Sequence, residues 1–110
     1  AAYAGAEGAP VDDVAIIGNV VSGVQQTGND GVALALSVVV DGRLGSRTGF
    51  VIQDNTSTRT VERTDHGAPI LIRSVAGVTI TGNRQPMSSG ELAVMRNSTA
   101  VVYEGNDTTP

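Results

Sequence analysis

Apolar side chains recur at every second position in four short stretches of this chain, each closing on an asparagine. Val14 and Ile16 precede Gly18-Asn19, Phe50 and Ile52 precede Asp54-Asn55, Val78 and Ile80 precede Gly82-Asn83, and Val101 and Tyr103 precede Gly105-Asn106. The intervening positions become more polar along the chain, from Ala15 and Ile17 to Thr79 and Thr81 and then Val102 and Glu104. Alternation with a period of two predicts a strand with one buried face. Glycine, Asp and Asn at its end predict a turn.

A second repeated segment falls between the asparagines. Gly31-Val32-Ala33-Leu34-Ala35-Leu36-Ser37, Gly67-Ala68-Pro69-Ile70-Leu71-Ile72-Arg73-Ser74 and Gly90-Glu91-Leu92-Ala93-Val94-Met95-Arg96-Asn97-Ser98 are each entered through glycine and left at serine. These are also predicted strands. The asparagines are 36, 28 and 23 residues apart (55 − 19, 83 − 55, 106 − 83). A unit of this size cannot bury its apolar face alone, so successive units must stack, with equivalent residues roughly 4.8 Å apart. The asparagines then form a column, in which each amide bonds the next and each Asn takes the left-handed conformation of a sharp corner. That makes them structural residues.

Composition agrees with an all-β chain. Of 110 residues, 33 are β-branched (16 Val, 6 Ile, 11 Thr), against 5 Leu and no Lys. Such side chains favour strands. All seven positive residues are arginine and the net charge is −4, which argues against a nucleic-acid partner. With no cysteine, disulfides, thiolate metal sites and cysteine nucleophiles are excluded. No apolar run reaches the roughly 18 residues of a membrane span, so no membrane partner is expected. The first residues lack the order of a signal peptide.

The run from Ile72 to Asn83, Ile-Arg-Ser-Val-Ala-Gly-Val-Thr-Ile-Thr-Gly-Asn, is echoed by Met95 to Asn106. It resembles the coil repeat of right-handed parallel β-helix proteins of the pectin-lyase-like superfamily. The resemblance implies an all-β right-handed solenoid of three to four coils over residues 14–107, with 1–13 as a linker or the end of a preceding coil and 108–110 as a tail. Because members with this repeat have more coils and capped ends, it also implies a fragment or terminal piece of a longer β-helix, completed by further chain or by a partner chain. Lyases, glycoside hydrolases, epimerases, tailspikes and adhesins share the repeat. Two functions are therefore carried forward: a secreted, extracellular or cell-surface protein that binds or processes an acidic polysaccharide, and a non-catalytic structural segment.

Candidate chemistry collects where the repeat is interrupted. The extra residues of the two longer intervals are placed in loops at 38–48 and 56–66, which bring Arg43, Arg47, Arg59 and Arg63 to one face. Guanidinium groups grip uronate carboxylates through paired hydrogen bonds. Arg73 and Arg96 occupy matching strand ends and extend the same substrate-binding reading. Asp30, His66 and Ser89 precede the three glycines of the second segment, and Asp30, Asp65 and His66 are the candidate catalytic acids and base. Their settings are similar to strand-entry segments of polygalacturonase-type enzymes, but the paired aspartates and Arg-x-Lys motif of that family are missing. The resemblance to lyases raises Ca2+ as a cofactor, with Asp12, Asp13 and Asp54 as oxygen donors. No metal site is read from spacing.

Overall fold

The computed structural model describes residues 2–4, 11–21, 38–42, 47–58, 68–88 and 90–110. Every strand pairing among them is parallel, and no helix is present. One sheet is built from β1 (Ala2–Ala4), β5 (Val38–Asp41), β8 (Ile70–Arg73) and β10 (Ala93–Arg96), paired in that order. A second takes β2 (Val11–Asp12) and β3 (Ala15–Ile17) on one side of β6 (Arg47–Gln53), with β9 (Ala76–Thr81) and β11 (Thr99–Glu104) following on the other. The third pairs β4 (Val20–Val21) with β7 (Thr56–Ser57), and single bridges extend it through Arg84 to Asp107. The chain thus returns to the same three sheets at each level.

Register follows the alternation read from the sequence. Ile16 pairs with Ile52, Ile52 with Ile80 and Ile80 with Tyr103, while Phe50 pairs with Val78 and Val78 with Val101. Phe50, Ile52, Val78 and Ile80 share one apolar cluster with Val38, Val40, Ile70, Ile72 and Leu92, and Ile16 packs against it. Ile52, Ile70, Ile72, Val78 and Ile80 are fully buried. Each such burial contributes about 2 kcal/mol relative to exposure, so the interior column holds the levels together.

Three columns of left-handed backbone bend the chain. Asp13, Gly49, Gly77 and Ala100 form one, where the strands of the second sheet bend. Gly18, Asp54, Gly82 and Gly105 form another, directly before the asparagines. Ser74 and Asn97 form the third, after β8 and β10. The asparagine column was expected to take the left-handed conformation itself, and that is corrected: the residue before each Asn takes it. Three of those four are glycine, which accepts positive φ at least cost. The N–H groups of Asn19, Asn55 and Asn83 then each donate to the Oδ1 of the next asparagine.

The second repeated segment needs a larger correction. Ile70–Arg73 and Ala93–Arg96 pair as expected, but Val38 stands beside Ile70, where the sequence pattern put Leu34. Val38–Asp41 and Arg47–Gln53 are strands, so residues 38–48 are not one inserted loop. A run of three valines suits a pleated, half-buried strand better than the Ala-Leu alternation before it. Counting between paired positions relocates the extra length of the first interval. The step from Asp41 to Thr48 spans seven residues where Arg73 to Ala76 spans three (48 − 41, 76 − 73), so only four extra residues lie there. The rest falls between Asn19 and Val38. The step from Asn55 to Ile70 exceeds that from Asn83 to Ala93 by five (70 − 55 against 93 − 83), which keeps the second insertion between Asn55 and Ile70.

Candidate functional site

The most ordered polar feature is the column of four asparagines at the corner after the second sheet. Asn19 donates its backbone N–H and its side-chain Nδ2 to Asn55 Oδ1, both at 3.0 Å. Asn55 does the same to Asn83 Oδ1 at 3.1 and 2.9 Å, and Asn83 to Asn106 Oδ1 at 3.0 and 2.9 Å. The second Nδ2 hydrogen reaches back to the preceding level: Asn55 to Ile16 O, Asn83 to Ile52 O and Asn106 to Ile80 O. Each interior amide is therefore fully used. Asn55 and Asn83 are buried, and satisfied burial of this kind rigidifies a stack.

Of the arginines expected to bind substrate, Arg73 and Arg96 are the two that the described structure brings together. They are register partners at the ends of β8 and β10, half-buried and exposed respectively, and Asp41 occupies the same position on β5. Two arginines at paired positions of adjacent strands are a residue pattern suited to an anion. Arg47 is corrected: it begins β6 with 2% exposure and cannot reach a ligand in solvent. It pairs with Val11, and Thr48 beside it is paired with Asp12 on one side and Ala76 on the other. Asp30, Asp65, His66, Arg43, Arg59 and Arg63 lie outside the described residues, as does Ser89.

Carboxylates do not converge. Asp12 accepts a hydrogen bond from the Thr48 hydroxyl, Asp13 overlies Gly49, and Asp54 overlies Gly82. Among the described residues no three His, Cys, Asp or Glu come together to hold a metal ion. Arg84 pairs with Asp107 at 2.7 Å across the last bridge. Hydrogen bonds from the Thr109 hydroxyl and backbone hold the Asp107 carboxyl below its usual range, and Arg84 adds to this.

A feature that sequence reasoning missed lies at the far end of the stack. Gly90, Glu91, Leu92, Ala93, Met95, Tyr103 and Thr108 line a cavity of about 350 Å³ that opens beneath β10 and β11. Val101 and Tyr103, expected in the core, occupy core positions of the last level yet are 36% and 43% exposed. Partial burial first, and the charge of Glu91 second, raise the Tyr103 phenol above its usual value. The clue in the sequence was the change from Ile at 16, 52 and 80 to a tyrosine with a polar tip at 103.

Against protein-family models, curated proteins and solved structures, nothing matches this chain.

Proposed function

We propose that the chain winds as a right-handed parallel β-helix and serves as a rigid, non-catalytic scaffold, of the structural-segment class rather than the polysaccharide-processing one. Return of the chain to the same three parallel sheets supports the winding. Crossovers between parallel strands of one sheet are right-handed in nearly all proteins, which supports the hand. The observation that carries the scaffold reading is the asparagine column, whose buried amides are entirely engaged in tying one level to the next. Polar groups built for a ligand would keep free valences facing it.

Calorimetric titration with acidic polysaccharides, with and without calcium, tests this on the unmodified chain and on Arg73→Ala/Arg96→Ala. The scaffold gives no saturable heat with either protein. Saturable binding that the double substitution abolishes would replace the scaffold with a polyuronate-binding surface on β8 and β10. The winding is tested separately by inter-strand nuclear Overhauser contacts, expected in one continuous series from Ile16 through Ile52 and Ile80 to Tyr103.

A further inference from the structure

The two ends of the stack are complementary to each other. At the last level, Asn106 receives both hydrogen bonds from Asn83 and returns one to Ile80 O, but its backbone N–H and second Nδ2 hydrogen have no acceptor among the described residues. At the first level, nothing among the described residues donates to Asn19 Oδ1, and its Nδ2 turns to its own Ile17 O at 3.4 Å. One end therefore holds two donors in the ladder position and the other holds the acceptor they require. Apolar positions match too. Val101 and Tyr103 are open at the last level, and Val14 and Ile16, in the same two columns, are only partly buried at the first.

We propose that a second copy of this chain docks head to tail, its first level beneath β10 and β11 of the copy above. Asn106 then donates to Asn19 Oδ1 of the second copy, whose Nδ2 moves from Ile17 O to the Tyr103 carbonyl, the position equivalent to Ile80 O. Ile16 of the second copy lies beside Tyr103 and Val14 beside Val101, closing the cavity. Because all strands run the same way, stacking by translation preserves parallel pairing, with β10 meeting β1 and β11 meeting β2 and β3. A two-fold arrangement of two tails would oppose donor to donor and make the pairing antiparallel. Head-to-tail contact is heterologous and open-ended, so assembly continues beyond the dimer. The net charge of −4 on each copy opposes it at low salt.

This inference goes beyond the scaffold reading and is decided by different data. Sedimentation velocity on the whole chain should show mass rising with concentration past the dimer, and more so at high salt. Ile16→Lys blocks the head and Tyr103→Lys the tail, each expected to weaken self-association about ten-fold or more. An equimolar mixture of the two regenerates a single intact interface and gives heterodimers that do not grow. Should Ile16→Lys fail to fold by circular dichroism, Asn19→Ala, at an exposed side chain, serves as the head variant. A monomer at concentrations up to about 1 mM overturns the proposal, as does a head-blocked variant that dimerises through its tail. Association abolished by filling the cavity with a small apolar ligand, with no change on Asn19→Ala, would assign the end to ligand binding and overturn it as well.

Discussion

The carboxylate of Asp54 lies over the Cα of Gly82, one strand further along the same corner, in the place where a Cβ at position 82 would have to sit. Both residues have positive φ, 53° and 65°. An alanine at 82 thus meets two separate penalties, a left-handed backbone and an occupied space. Gly18, at the head of the same column with φ 68°, has nothing within 4 Å of its own missing Cβ.

Gly18→Ala is therefore expected to cost about 1–2 kcal/mol, the backbone term alone. Gly82→Ala is expected to cost roughly 1 kcal/mol more. Adding Asp54→Gly to Gly82→Ala removes the carboxylate with a residue that accepts the positive φ of position 54, so it should recover that difference, and urea midpoints of the three proteins measure it. Equal costs at positions 18 and 82 would remove Asp54 from the account.

Position along the asparagine column sets the effect of losing an amide. Asn83→Ala strands the two Asn55 donors and Ile52 O in a buried setting, while Asn106 Oδ1 keeps the backbone N–H of position 83, for a loss of about 3 kcal/mol. Asn19 is exposed, and in Asn19→Ala the backbone N–H still donates to Asn55 Oδ1, so the substitution costs below about 1 kcal/mol. Chemical denaturation should separate the two by several-fold in stability.

Adjacent positions on β9 should respond in opposite ways to a charge. Ile80 has 0% exposure and faces the stacked interior, so Ile80→Asp buries an unpaired carboxylate and abolishes cooperative unfolding. Thr79 faces outward and half-buried, so Thr79→Asp is tolerated within about 1 kcal/mol. Thermal melts followed by circular dichroism distinguish these outcomes, and comparable damage at both positions would contradict the facing of the strand.

Acid should loosen the end of the chain before the core. The Asp107 carboxyl is held below its ordinary 3.8 by Thr109 and then by Arg84, so its folded value lies under its unfolded one. Its contribution is complete above 3.8 and disappears as the pH falls through the lower, folded value. The Thr109 amide, which donates to Asp107 at 2.9 Å, reports this by hydrogen exchange: protection should fall on acidification while Ile80 stays protected. Arg84→Gln should raise the Asp107 value only in part, because the Thr109 hydrogen bonds outweigh the guanidinium.

Alternation, glycine placement and the asparagine repeat determined the all-β class, the parallel stacking of matched positions and the amide column. Each depends on neighbours within a few residues or on a motif repeated at a distance, and both are written in the chain itself. Tertiary structure alone decided that Val38 rather than Leu34 lies beside Ile70 and that Arg47 is inside. A strand of alternating or continuous apolar residues can slide along its partner by an even number of positions without exposing its hydrophobic face, so its register is settled only when the neighbouring strands and corners close around it.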